Sequence, residues 1–133
     1  MKVLVTGGSG AVGRRLLADL KAEGHEVVSL TRATSPTPPS VSTTYAFDEL
    51  RELCQGVDTV VHLAWRRSPS TRVDSWNANF SELDNLLKAA STCGVARFIG
   101  ASSISVYSGG RHVPGYCRED FGRPVSVAGI LWV

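Results

Sequence analysis

The stretch Thr6–Gly13, with the sequence Thr-Gly-Gly-Ser-Gly-Ala-Val-Gly, decides the fold of this chain. It follows the apolar run Val3–Val5 and opens a helical pattern, and this order of strand, glycine turn and helix is the context that a dinucleotide-phosphate site requires. Glycine allows a tight turn off the strand, a close approach of the backbone to a diphosphate, and close packing of the helix on the sheet. These three tasks fall to Gly7, Gly10 and Gly13 in turn.

The start of this helix is the predicted phosphate site. A diphosphate there would lie against free N–H groups and the positive end of the helix dipole. The residues predicted to bind it therefore include Ala11 and Val12 of the first helical turn. The alternative is a glycine-rich turn that holds no ligand, and the order of strand, turn and helix argues against it.

The bulk properties of the chain bound its class. It has 133 residues, of which 43% are hydrophobic and 20% charged, so we expect one globular domain over residues 1–133. A net charge of +2 gives no electrostatic reason for binding nucleic acid or an acidic membrane. No apolar run reaches the ~18 residues of a membrane span, and the three cysteines show no metal-ligand spacing. We therefore expect a cytoplasmic protein without a metal.

Apolar periodicity alternates between strand and helix along the chain. Near-continuous apolar runs predict buried parallel strands, and apolar residues three and four positions apart predict helices. The alternation predicts an α/β fold, a doubly wound parallel sheet with helices on both faces. The polar, proline-rich residues 33–44 are interpreted as a loop beside an adenosine site. Strands are predicted at residues 2–6, 27–31, 57–63 and 97–101, with a weak third strand at 44–47, and helices at 11–23, 48–54 and 80–92.

Four segments of the chain match a known pattern in order. The glycine spacing GxxGxxG follows a strand and a threonine. Further along, Val60–Ala64, Asn79–Ala90 and Gly100–Tyr107 are similar to segments written V-V-H-L-A-A, N-V-x-G-T-x-N-L-L-x-A-A and S-S-x-x-V-Y-G. Together they resemble the short-chain dehydrogenase/reductase superfamily and its extended branch, the NAD-dependent epimerase/dehydratase family. The resemblance implies a Rossmann-like sheet of five strands in the order 3-2-1-4-5.

The resemblance also implies roles for individual residues. Leu63 and Ala64 would run under a ribose of the cofactor. Asn79 would support the active site from the start of a helix, where an asparagine is also a good N-cap on physical grounds alone. Ser103 falls at the position of the catalytic serine or threonine, whose hydroxyl binds a substrate oxygen and stabilises the charge developing on it. Glu82 departs from the family pattern, because it stands where the family has glycine.

The choice between NAD(H) and NADP(H) depends on the end of the second strand. An NAD enzyme usually has an Asp or Glu there, which binds the ribose 2′-hydroxyl. Alignment with the family places Thr31 at that position, and Arg32 follows it. A missing carboxylate removes repulsion toward a 2′-phosphate, and a guanidinium can bind a phosphate through two hydrogen bonds. The sequence therefore favours NADP(H) and leaves NAD(H) open, with a solvent-facing Arg32 as the alternative.

The central catalytic pair of the family is absent from these residues. In the family a Tyr-x-x-x-Lys motif supplies the general acid/base and the lysine that lowers its pKa, and no such motif occurs in the 133 residues. We expect a chain truncated before this motif, with a sheet that is incomplete on its C-terminal side and with no substrate domain. An unpaired apolar edge at the fifth strand, or the apolar residues 125–133, favours a homodimer.

Two classes of function stay open at this point. The resemblance implies an NAD(P)-dependent oxidoreductase, epimerase or dehydratase that transfers a hydride at a carbinol or carbonyl carbon, often of a nucleotide sugar. Without the Tyr-Lys pair, the alternative is a dinucleotide-binding sensor or interaction module that does not turn over, or a remnant that binds nothing tightly. Dinucleotide binding separates the remnant from the other two, and turnover separates the enzyme from the binding module.

Overall fold

The computed structural model describes residues 1–33, 40–66 and 71–102, which form a parallel sheet with helices on both faces. The strands run in the order β3-β2-β1-β4-β5, all parallel, so the predicted fold class and strand order are confirmed. The elements in chain order are β1 (Lys2–Thr6), α1 (Ala11–Ala22), β2 (Glu26–Thr31), β3 (Ser40–Ser42), α2 (Phe47–Leu53), β4 (Thr59–His62), α3 (Arg72–Thr92) and β5 (Arg97–Gly100).

All of these elements lie in one compact unit, Met1–Gly100, and a second unit comprises Ala101–Val133. The expectation of a single domain over residues 1–133 stays a prediction. The predictions for Ser103 and for the apolar residues 125–133 lie outside the described residues.

The central strand β1 separates two apolar clusters. Val3 and Val5 face α1, and Leu4 faces α2 and α3, because successive side chains of a strand point to opposite sides of the sheet. The first cluster adds Val27, Val61, Leu16, Leu17, Leu20 and Leu63. The second cluster is larger and includes Leu30, Tyr45, Leu50, Cys54, Val57, Val60, Leu86, Ala89 and Ala90. Burial on both faces explains why the middle residues of β1 and β4, Val3–Val5 and Val60–Val61, are uninterrupted apolar runs.

The third strand lies earlier in the chain than predicted. We predicted a strand at residues 44–47, but β3 is Ser40–Ser42, paired with the end of β2. The Glu49 carboxylate accepts hydrogen bonds from the Thr43 hydroxyl and from the Thr44 amide at 2.9 and 2.8 Å. Tyr45 takes a positive φ of 64°, and its amide donates to the Thr43 hydroxyl. The Thr43 amide still donates to the Thr31 carbonyl at 2.9 Å, and beyond it these side-chain bonds take the place of the sheet ladder.

The helix α3 is longer than predicted. It begins at Arg72 instead of residue 80, with Thr71 as its N-cap, and the Thr71 hydroxyl accepts from the Asp74 amide at 3.0 Å. The spacing Thr-x-x-Asp is a capping-box pattern that marks this start in the sequence. Asn79 therefore lies inside the helix, and the alternative interpretation of Asn79 as an N-cap is wrong. Phe80, the first residue of the helix predicted at 80–92, is exposed.

The glycine turn packs against the rest of the fold without room for side chains. An added Cβ at Gly13 would lie 2.7 Å from the Gly8 Cα and 2.9 Å from the Gly7 carbonyl carbon. One at Gly8 would lie 2.7 Å from the Leu17 Cδ1 and 3.3 Å from the Ser29 Cβ. Gly13 thus packs on the turn itself, and Gly8 is the glycine that brings turn, helix and β2 together.

Replacement of Gly13 by alanine is predicted to lower the stability of the fold. Alanine favours a helix over glycine by about 1 kcal/mol. The new Cβ meets backbone that cannot move aside, and such overpacking costs about 1–3 kcal/mol. Urea unfolding of Gly13→Ala should give a free energy of unfolding below that of the original chain. The control is Ala18→Gly at an exposed position of α1, where a loss of about 1 kcal/mol reports propensity alone. A Gly13→Ala variant more stable than the original chain would contradict the prediction.

Candidate functional site

The start of α1 offers unpaired backbone amides at the end of β1. Gly7 has a φ of 75°, and its carbonyl accepts from the Gly10 amide at 3.0 Å, which closes the turn. Gly10 is the N-cap, with φ −71° and ψ 171°, and no side chain of the described residues bonds to the cap. The first-turn amides of a helix have no partner inside it, and the first turn of α1 contains no acidic residue. This end of α1 can therefore attract an anion.

Ala11 and Val12, both predicted to bind the cofactor, are exposed in this first turn of α1. Val12 is 70% exposed. An apolar side chain beside unpaired amides suits a ligand that carries both a phosphate and a ring.

The loop after β4 is held at the end of β1 by the hydroxyl and the carbonyl of Thr6. The Thr6 Oγ1 accepts from the Ala64 amide at 3.2 Å and is 2.8 Å from the His62 Nδ1. The Thr6 carbonyl accepts from the Leu63 amide at 3.1 Å. An added Cβ at Gly7 would lie 2.8 Å from the Ala64 nitrogen. Leu63 and Ala64 are thus placed directly against the glycine turn, as a shared cofactor site requires.

His62 is a packing residue in this arrangement, as we expected from its place within a strand. Burial lowers the pKa of its imidazole, so the ring stays neutral near pH 7. Its ring centroid is 6.4 Å from that of Phe98 on the neighbouring strand. The imidazole thus bonds to Thr6 of β1 and lies beside Phe98 of β5. Because it is neutral, it offers no positive charge to a substrate.

Asn79 holds the loop that follows β4 in a fixed conformation. Its Oδ1 accepts from the Arg66 amide at 2.7 Å, and its Nδ2 donates to the Arg66 carbonyl at 2.8 Å and to the Ser75 carbonyl at 2.6 Å. The side chain is buried, and both of its N–H donors are in use. In the described residues, Asn79 therefore acts on the loop, and any influence on a ligand passes through that loop.

Arg32 is not simply directed into solvent. Its Nη1 lies 3.5 Å from the Glu82 Oε1, and the Arg66 Nη1 lies 3.7 Å from the same oxygen. Thr31, the other residue predicted to select the cofactor, accepts from the Ala33 amide through its hydroxyl at 3.2 Å. The structure therefore brings Arg32 to Arg66, a residue that the sequence did not single out for the site. The sequence feature that could have indicated this pairing of Arg32 and Arg66 is Glu82, which replaces the glycine of the family pattern.

An apolar pocket lies beside this loop. Trp65 and Trp76 meet edge to face with ring centroids 6.5 Å apart, and Trp76 stacks on Phe80 at 5.1 Å. The pocket is lined by His62, Trp65, Asn79, Phe80 and Leu83. It is open to solvent and can take a flat or apolar group.

The described residues contain neither a cluster of metal-ligating side chains nor a helix that could span a membrane. No group of three or more His, Cys, Asp or Glu side chains there could hold a metal ion. None of the helices in residues 1–33, 40–66 and 71–102 is long and apolar enough to span a membrane.

Comparison with known proteins agrees with this geometry. The fold and its glycine turn are those of Rossmann-like proteins. Residues 3–127 match the model of the NAD dependent epimerase/dehydratase family, and the chain belongs to that family. It is 34% identical over 126 residues to a 3-beta-hydroxysteroid dehydrogenase of Mycolicibacterium neoaurum, and the match covers 84% of this chain and 34% of that protein. The chain therefore spans about a third of the length of this curated relative.

Solved structures give the same family likeness. A short-chain dehydrogenase/reductase superfamily protein from Agrobacterium tumefaciens with bound NAD has a TM-score of 0.77 and 34% identity, covering 97% of this chain and 41% of that one. UDP-N-acetylglucosamine 4-epimerase from Bacillus cereus has a TM-score of 0.77 and 27% identity, covering 93% and 42%. The predicted family is confirmed.

Removal of the Asn79 side chain is predicted to destabilise the chain. Asn79→Ala leaves the amide and carbonyl of Arg66 without their partners, and loss of such bonds costs about 1–3 kcal/mol. The matched control is Asn77→Ala on the exposed side of α3, which should stay within about 0.5 kcal/mol of the original chain. The free energy of unfolding in urea measures both variants. Equal stabilities for the two would contradict the structural role of Asn79.

Proposed function

We propose that this chain binds a nicotinamide dinucleotide with its diphosphate on the glycine turn. The observation that carries the proposal is the first turn of α1, where unpaired amides meet a backbone that only glycine can form. Among the described residues, an added Cβ at Gly10 would meet only the Gly7 carbonyl oxygen within 4 Å, so the space around that Cβ position is otherwise open there. Arg32 follows β2 on one side, and Leu63 and Ala64 follow β4 on the other.

The proposed chemistry is that of the family: hydride transfer at a carbinol or carbonyl carbon. When bound, the nicotinamide accepts or donates the hydride. Leu63 and Ala64 would hold the cofactor's ribose at the end of β4. We propose Ser103, three residues beyond the end of β5, as the hydroxyl that binds the substrate oxygen. Relatives include an epimerase named for a UDP-sugar and a hydroxysteroid dehydrogenase, so a nucleotide sugar is one substrate class and a steroid alcohol is another.

We propose NADP(H) as the preferred cofactor, with NAD(H) as the alternative. Thr31 leaves the end of β2 without a carboxylate, and the Arg32 guanidinium beside it is 38% exposed and so can be reached by a 2′-phosphate. The alternative is favoured by the Agrobacterium tumefaciens relative, whose structure holds NAD. A direct comparison of the two reduced cofactors separates these choices.

The expected result of a calorimetric titration is micromolar binding of NADPH, with weaker binding of NADH. Gly10→Asp should weaken both by more than about tenfold, because a carboxylate would occupy the diphosphate position at the helix start. The variant should still fold, because aspartate is a favoured N-cap and the φ of −71° suits any residue.

The control for added charge is Ala18→Asp, which places a carboxylate on an exposed part of α1 away from the turn. It should bind both cofactors like the original chain. If neither cofactor binds the original chain, the proposed function is wrong; tighter binding of NADH than of NADPH contradicts the cofactor choice alone.

We also propose that the chain forms a homodimer through α3. Val73, Phe80 and Leu87 are exposed and lie seven residues apart, which places them along one side of the helix. Packing of this apolar stripe against the same stripe of a second copy would remove it from water. In β5, the strand edge predicted from the sequence as the contact, Ile99 is exposed as well.

Light scattering at micromolar concentration should give twice the chain's mass of 14.2 kDa. Val73→Lys combined with Leu87→Lys should return the mass to that of a monomer, because charged side chains cannot be buried in this stripe. Ile99→Lys is the matched variant at the strand edge and should leave the dimer intact. A monomeric original chain contradicts the dimer, and dissociation by Ile99→Lys alone would place the contact at β5.

A further inference from the structure

One carboxylate is shared by two arginines at the edge of the sheet where β2 and β4 end. The Glu82 Oε1 lies 3.5 Å from the Arg32 Nη1 and 3.7 Å from the Arg66 Nη1. The Glu82 side chain is only 14% exposed, whereas those of Arg32 and Arg66 are 38% and 46% exposed. The carboxylate is therefore largely enclosed, and the two cations around it can reach solvent or a ligand.

The three charges flank the end of the central strand. Arg32 directly follows β2, and Arg66 lies four residues beyond β4. Both strands pair with β1, and Thr6 at the end of β1 lies opposite Leu30 and His62. Because the glycine turn follows Thr6, the cluster of Arg32, Glu82 and Arg66 lies at the same edge of the sheet as the proposed dinucleotide site.

We infer that Glu82 determines cofactor specificity, because its carboxylate competes with the 2′-phosphate of NADPH for the Arg32 guanidinium. This inference rests on the proposed function, in which Arg32 meets that phosphate. A guanidinium engaged by a carboxylate has to be released, at least in part, before it can bind a phosphate through two hydrogen bonds. NADH has no 2′-phosphate and leaves the pair between Arg32 and Glu82 undisturbed.

Arg66 lowers the free-energy cost of releasing Arg32 from Glu82. A largely buried carboxylate that loses its only partner is strongly destabilising. Glu82 keeps Arg66 when Arg32 moves, and the backbone of Arg66 is held in place by Asn79 through bonds of 2.7 and 2.8 Å. The second arginine thus keeps Glu82 paired in the NADPH-bound state.

The buried hydroxyl of Tyr45 shows that these charges act on the interior. Burial is the main cause that raises the pKa of Tyr45; the Glu82 charge raises it further, and the Arg32 charge lowers it. Tyr45 is almost fully buried. The charges of Glu82 and Arg32 therefore both act on the Tyr45 phenol.

The experiment measures the dissociation constants of NADPH and NADH for the original chain, Glu82→Gln, Arg66→Gln, Arg32→Ala, and the double variant Glu82→Gln/Arg32→Ala. Glu82→Gln keeps the size of the side chain, and the exposed arginines remain solvated, so the variant should fold. It should tighten NADPH about two- to fivefold, the range that a partly exposed ion pair contributes, and leave NADH unchanged. Arg66→Gln should weaken NADPH relative to NADH, because Arg32 is then the one arginine of the described residues that still pairs with Glu82.

The double variant tests whether Glu82 acts through Arg32. It should bind NADPH no more tightly than Arg32→Ala alone. An unchanged ratio of NADPH to NADH affinity in Glu82→Gln would overturn the inference, and so would a gain that persists without Arg32. Failure of the proposed function itself has a different signature, because then neither cofactor binds the original chain and Gly10→Asp changes nothing.

Discussion

The close contact of backbone with backbone at the glycine turn is the constraint on which the rest of the structure depends. Gly7 leaves no room for a side chain against Leu63 and Ala64, and Gly13 leaves none against the turn itself. Three segments from different parts of the sequence are brought together there: the end of β1, the start of α1 and the loop after β4. Because these segments meet without side chains between them, the first-turn amides of α1 stay open beside the ends of the strands. The proposed cofactor site is a direct consequence of that approach.

Side chains that bond to backbone then fix the loops around the turn. Thr6 holds the loop after β4 through its hydroxyl and its carbonyl. Asn79 holds the next residues of the same loop from the interior of α3, and Glu49 holds the segment before α2. Each of these groups is a short polar side chain whose donors and acceptors meet main-chain atoms. Loops fixed in this way can carry ligand contacts without the entropy loss that ordering a loop on binding would add.

The sequence predicted the fold well wherever one local signal was sufficient. The strand–glycine–helix unit, four of the five strands and their order follow from apolar runs, turn glycines and the family pattern. The errors have physical causes that act beyond the local pattern. The third strand was misplaced because Thr43 and Thr44 donate hydrogen bonds to the Glu49 carboxylate. The start of α3 was missed because the polar residues around its N-cap, Thr71, obscured the helical pattern. Thr31 and Arg32 were found from their position, but the pairing of Arg32 with Glu82 depends on a helix fifty residues away.

That distant pairing changes how a cofactor preference is to be derived from a sequence. The residue at the end of β2 is commonly taken as the determinant, because it is the nearest group to the ribose. A guanidinium at that position attracts a phosphate only to the extent that it is free of other partners. Here the ion pair with Glu82 on α3 limits how readily Arg32 can turn to a phosphate. Arg66, on the loop that Asn79 fixes, keeps Glu82 paired when Arg32 leaves it. In the proposed site, selectivity thus depends on the balance of two cations and one anion, and a motif limited to β2 describes only one of the three.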